Sequence, residues 1–192
     1  NNNDQQKYGL AYGNLYGTRI EDEEISFALN DVYKIHAVYE SENDNDAEPP
    51  YLTLTESTFF DNGSVVVGRT SGARGRVIQF INSTLRLYIV QLNEIPFLPG
   101  ESIDGVDDDN VPLVAVVDDA EGSVSKGSKV VTTQYELEPG QKAHYYDVCK
   151  MLRLPQYTPP IRKLLVIFDY FVHESSGDYF ASQSYTGIGY KD

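Results

Sequence analysis

The chain has 192 residues, 41% of them hydrophobic and 23% charged, which is the make-up of a globular protein with a real core and not of a disordered one. A formal net charge of −14 repels phosphate backbones and argues against nucleic acid as a partner. The longest purely apolar run, Leu164 to Phe168, is far short of a membrane span, and a single cysteine, Cys149, excludes an internal disulfide.

Residues 1–14 are polar and rich in Gly and Asn, and read as a linker or loosely held arm. They hold no basic stretch followed by an apolar one, so no signal peptide is expected. The chain opens on Asn and not Met, which suits a processed product or a piece of a longer polypeptide. "TRIEDEEISFA" reads as two short strands around an acidic turn. "DVYKIHAVYE" alternates, with Tyr33, Ile35, Ala37 and Tyr39 on one face and Val32, Lys34, His36 and Val38 on the other. "SENDNDAEPP" is a solvated loop ended by two prolines, and "YLTLT" is a further strand.

Residues 58–126 have a different texture. Phe60, Gly63, Val66, Gly68, Gly75 and Val77 match Phe97, Gly100, Ile103, Gly105, Pro112 and Val114 at one fixed offset. Each unit reads as a glycine turn, a short strand, a polar hairpin ("RTSGAR" or "VDDDN") and a second strand. With the linking strand "LRLYIVQL" the two pseudo-repeats make a small barrel-like domain. "EGSVSKGSK" is flexible by composition. "KVVTTQYEL" then resumes strand, and "KLLVIFDYFVHE" is the strongest strand of the chain. Leu164, Val166, Phe168, Tyr170 and Val172 line one face of it, and Leu165, Ile167, Asp169 and Phe171 the other. Two largely apolar faces predict a central strand covered on both sides. The expected fold is all-β: a β-sandwich from residues 15–57 plus 127–192, interrupted by the small inserted β-domain at 58–126. The two ends of such an insertion must lie close together.

The stretch "GQKAHYYDVCKMLRLP" concentrates reactive side chains, but His144 and Cys149 are five apart and point away from each other on helix or strand alike. A more distant His36 or His173 could still reach the thiol, yet a lone cysteine reads first as a small buried apolar residue. The three histidines show no ligand spacing, so no metal and no cofactor is implied. "NDNDAE" and "DGVDDDN" offer oxygen ligands without the spacing of a calcium loop and read as solvated acidic turns. "GRTSGARG" resembles a phosphate-cradling loop only in its glycines, and Gly72 and Gly75 are expected to supply positive φ in a hairpin. Asp169 is the one oddly placed carboxylate. It is either a functional acid or the acceptor of a backbone or Tyr hydrogen bond, and the second is the simpler reading.

Three blocks, "YGTRIEDEEISFALNDVYKIHAVYES", "LEPGQKAHYYDVCKMLRLPQYTPPIRKLLVIFDYF" and "GDYFASQSYTGIGYKD", resemble virion structural proteins of tailed phages, contractile-tailed cyanophages in particular. "GRTSGARGRV" and "PGESIDG" resemble the Gly-rich segments found between such blocks. The resemblance covers residues 16–192. It implies a tail, baseplate or tail-fibre component of the phage particle, with other virion proteins as partners and several copies of itself alongside, no membrane, and no catalytic residue. The expected role is a stiff module that positions its neighbours. The alternative is a receptor- or glycan-binding module, in which Tyr145, Tyr146 or Tyr157 would form an aromatic platform beside carboxylates. An enzymatic role, such as polysaccharide cleavage, is not expected.

Overall fold

Short runs of alternating β-branched and aromatic residues, punctuated by glycine, proline and aspartate, leave little choice but strand and turn. The computed structural model describes residues 19–29, 31–140 and 148–171. The protein is all-β, and among the described residues the one helical turn is a 3-10 turn at Thr132–Gln134. In chain order the strands are β1 (Glu24–Ser26), β2 (Val32–Glu40), β3 (Tyr51–Thr53), β4 (Val65–Gly68), β5 (Arg74–Ile81), β6 (Arg86–Gln91), β7 (Ser102–Val106), β8 (Pro112–Val116), β9 (Val124–Ser125), β10 (Lys129–Val130), β11 (Tyr135–Glu138), β12 (Lys150–Arg153) and β13 (Leu164–Tyr170). They form three sheets, β1-β12-β11, β10-β2-β13 and β8-β7-β4-β5-β6-β3-β9, and every pairing is antiparallel.

The seven-stranded sheet curls on itself. Beyond β3, Leu54 bridges Val117 just past β8, while Thr55 N–H donates to Val116 O at 3.0 Å and Asp118 N–H to Thr53 O at 2.8 Å. Inside the curl lie Leu52, Leu54, Phe60, Val66, Val77, Leu87, Ile89, Phe97, Ile103 and Val117, all buried. This corrects the expected boundary at 58. β3 pairs with β6 and β9 and not with the sandwich, because Leu52 and Leu54 supply two of the inward side chains. "EGSVSKGSK" is also tied down: Val124 and Ser125 pair with β3, and Gly127 (φ +67) lies so close to Pro49 and Pro50 that a Cβ would sit 2.5 Å from Pro50 N. Ser128 N–H donates to Glu48 O at 2.7 Å, and Glu48 N–H to Ser128 Oγ at 2.9 Å. The chain thus enters and leaves the curled sheet at one stitched point.

The pseudo-repeat holds through the first half of each unit. Gly63 (φ +89) and Gly100 (φ +75) open the turns, Phe60 and Phe97 are buried, and Val66 and Ile103 are fully buried. The second strands do not keep the fixed offset. Val66 faces Gly75, but Ile103 faces Ala115, three residues beyond Pro112, so the buried strand positions are Ala115 and Val117 while Val114 is exposed. The physical reason is a longer hairpin: β7 and β8 stay paired as far as Val106 and Pro112, and the chain turns only at Asp107, whose Oδ1 accepts from Asp109 N–H and Val111 N–H.

The two three-stranded sheets pack face to face as a sandwich. Val38 of β2 and Leu164 and Val166 of β13 meet Ile25, Tyr135 and Met151 from the other sheet. β13 is covered on both faces as expected, since Leu165 and Ile167 pack with Ala37, Tyr39, Ile78 and Val90 against the curled sheet. It is not central, however. Among the described residues it pairs only with β2, and β2 is the middle strand.

"GRTSGARG" does cradle an anion, and the anion is the protein's own. Glu101, 5% exposed, accepts from Thr70 N–H (3.2 Å), Ser71 N–H (3.0 Å), Ser71 Oγ (2.9 Å) and Leu98 N–H (2.7 Å). Gly68 leaves the space, since a Cβ there would fall 2.7 Å from both carboxylate oxygens. Gly72 has positive φ (+73), but Gly75 does not. It is glycine because Ile89 packs against it, with Cδ1 2.8 Å from where a Cβ would stand. Glu101→Gln turns an amide NH₂ toward N–H donors, and should cost about 2 kcal/mol in urea unfolding. A loss below about 0.5 kcal/mol would mean that the turn does not depend on the carboxylate.

Candidate functional site

β2 and β13 do not run in simple register. Ile167 faces Ala37 but Phe168 faces Ile35, and Asp169 faces Lys34 but Tyr170 faces Val32. Each shift leaves one β2 residue over, His36 and then Tyr33, and such bulges re-aim side chains. This corrects the expected faces of β2: Ile35 packs with Val38 in the sandwich core, while His36 joins Ala37 and Tyr39 in lining a groove on the other side.

Both bulged residues reach Asp169. His36 Nε2 lies 2.6 Å from Asp169 Oδ2, and the Tyr33 hydroxyl donates to the same oxygen at 3.3 Å. From the curled sheet, Arg76 Nη2 donates to it at 3.1 Å. The Arg76 guanidinium passes the Gly63 turn, where a Cβ would stand 3.2 Å from Nη2. Burial pushes the Asp169 carboxyl up, but His36, Arg76 and Tyr33 together outweigh it and hold the group below the ordinary carboxylate value. Loss of water contact and the Asp169 charge push the Tyr33 phenol up, which keeps it a donor.

His36 also borders the groove between the β2–β13 sheet and the curled sheet. The groove has a volume of about 370 Å³ and is mostly apolar, with Ala37, Leu52, Ile89, Val90 and Phe97 in its lining. Tyr39 lines it too, and burial pushes its phenol up to about 12. The His36–Asp169 pair has the form of an oriented base. Among the described residues, however, Asp169 is the sole side chain bonded to that imidazole, and no hydroxyl or thiol is held against it. What the cluster does is join three strands from two sheets through one oxygen.

Of the platform tyrosines, Tyr145 and Tyr146 lie outside the described residues, as do His144 and His173. Tyr157 is half-buried in the turn after β12, where its N–H donates to Leu154 O at 3.0 Å, and it borders a shallow recess with Glu23, Arg153 and Gln156. Cys149 is buried. Its Sγ accepts Val32 N–H at 3.3 Å and its thiol donates to Pro139 O at 3.3 Å, so its bonded partners are backbone groups. In the acidic loop before the double proline, Asp44 binds Arg162 and Asp46 holds Lys163 at 2.7 Å. No group of three or more His, Cys, Asp or Glu is placed to hold a metal ion among the described residues. Arg69, in "GRTSGARG", is clamped on Asp104 by three hydrogen bonds of 2.7–3.0 Å.

Comparison with protein-family models, with curated proteins and with solved structures finds no match in any of the three.

Because the Asp169 carboxyl is held low in the folded protein, its contribution is fully present above the ordinary carboxylate pKa of 3.8 and is lost as pH falls through the lowered value. Asp169→Asn should therefore lower stability by about 1 kcal/mol at pH 7, a charged hydrogen-bond cluster discounted for partial exposure. The gap between variant and wild type should narrow as urea unfolding is repeated below about pH 4. A gap that is absent at pH 7, or unchanged in acid, would contradict this assignment.

Proposed function

We propose that the protein is a structural module of a tailed-phage virion, from the tail, baseplate or tail-fibre region, which acts by protein–protein contact within the particle and not by catalysis. The reading rests on the resemblance of the three sequence blocks. The observation that supports it best is where the apolar and polar groups lie. The polar groups that could carry chemistry (Asp169, Glu101, Cys149) are turned inward onto partners in the same chain. Apolar side chains, by contrast, stand outside: Val111, Val114 and Val116 at β8, and Leu92, Ile95 and Val130 elsewhere. Val114 and Val116 are two apart on one strand and so share a face, and apolar residues grouped on a surface mark contact sites. Other virion proteins and further copies of the chain are the proposed partners.

The recess at Tyr157 supports a second reading, a receptor- or glycan-binding module, since an aromatic ring stands there beside Glu23, Arg153 and Gln156. Quantitative mass spectrometry of purified particles distinguishes the two roles when paired with a glycan array. The structural module is expected at a fixed copy number per particle, with no glycan retained. Val114→Asp, at an exposed position, should leave the fold intact and lower incorporation several-fold. Recovery of the chain from infected cells but never from particles would contradict the proposal.

A further inference from the structure

The groove between the two sheets has a feature that packing alone does not explain. Tyr39 is 1% exposed and lines the groove, yet among the described residues its hydroxyl has no hydrogen-bond partner. The ring is buried, but the hydroxyl is not sealed off, so it is reached from the groove and stands ready for a water or ligand acceptor. The Tyr39 phenol, held up by burial, keeps its proton and is available as a donor.

The rest of the lining is selective. At about 370 Å³ the groove falls within the range of small-molecule sites, and its walls are mostly apolar. Ile95 and Val130, 45% and 62% exposed, carry the apolar surface out to solvent. Two charged residues complete the lining, Lys126 and Glu94. Neither side chain makes an ion pair or hydrogen bond among the described residues. His36 and Gln91 are already committed, to Asp169 and to Asn93 and Ile95 respectively.

We propose that this groove is a binding site for a small amphiphile, an apolar chain or ring ending in an oxygen acceptor, with a carboxylate as the preferred end. The apolar body lies against Ala37, Ile89, Val90 and Phe97. The acceptor takes the Tyr39 hydroxyl proton as a hydrogen bond, and the Lys126 ammonium favours a negative end. Glu94 sets the competing preference for a cation, so the charge of the head group reveals which of the two governs the site.

The test uses the 192-residue chain and three ligands of equal chain length, decanoate, decanol and decylammonium. Each is titrated up to about 1 mM by heteronuclear NMR and calorimetry. Saturable decanoate binding is expected, with shifts centred on the amides of Val90 and Ile95, and weaker binding of the other two. Tyr39→Phe, which keeps the ring, should weaken decanoate about 5-fold. Lys126→Gln, an exposed change that does not threaten the fold, should bring decanoate to the level of decanol. Absence of saturable binding, decylammonium binding as tightly as decanoate, or unchanged affinity in a folded Tyr39→Phe protein would each overturn the proposal. The first of these results would leave the virion role standing, because that role rests on the sequence resemblance and on the exposed apolar side chains of β8, which lie outside the groove lining.

Discussion

A carboxylate in the middle of an apolar strand has to find donors, and Asp169 finds three, on two different sheets. Tyr33 and His36 come from the neighbouring strand by way of two bulges, and Arg76 comes from the curled sheet. The apolar seam beside it, Ala37, Tyr39, Val90, Ile78, Leu165 and Ile167, brings the same two sheets together without fixing their register. Hydrophobic burial is non-directional, whereas hydrogen bonds to one oxygen are not. The Asp169 cluster therefore adds a directional tie to the seam between β2, β13 and the curled sheet, next to the groove that His36 borders.

The other constraint is the stitched crossing at Gly127. A unit inserted into a sandwich must return its chain to the point of departure. Here the return is close enough that only glycine fits, and two hydrogen bonds between Glu48 and Ser128 hold the strands together. Beside the apolar seam, the curled sheet is therefore held to the sandwich by two polar attachments, the crossing and the Asp169 cluster. For a module whose proposed work is to position neighbours, two attachments resist hinge motion better than one.

Much of this was legible in the sequence, and the failures share a cause. Alternation gives the strands and their buried faces correctly wherever the ladder is regular, as in β13, where Leu164 and Val166 face one core and Leu165 and Ile167 another. It fails at β2, because a bulge adds one residue and no residue type announces it; neither Tyr33 nor His36 is a glycine or proline. Alternation also says which way a side chain points but not which strand lies next to it, so "YLTLT" could not be assigned to its sheet. The repeat was readable up to its first strand and misleading after it, since no residue type announces that β7 and β8 stay paired further than β4 and β5 before the chain turns at Asp107. Asp169 stood out as a misplaced charge, but its partners lie 93 to 136 residues away along the chain. Glu101 went unnoticed because a lone acid between Gly100 and Ser102 looks like any turn residue. Its partners become visible only once the "RTSGAR" hairpin folds over it.

The claim on which the joined architecture stands is that Arg76 and Asp169 act together across the two sheets. A double-mutant cycle measures this directly, with Arg76→Ala, Asp169→Ala and the pair compared by urea unfolding at pH 7 and low salt. A coupling energy of at least about 0.5 kcal/mol is expected, shrinking in acid as the carboxylate is protonated. Strict additivity at pH 7, within about 0.3 kcal/mol, would show that the cluster is incidental and that the apolar seam and the crossing at Gly127 hold the curled sheet to the sandwich without it.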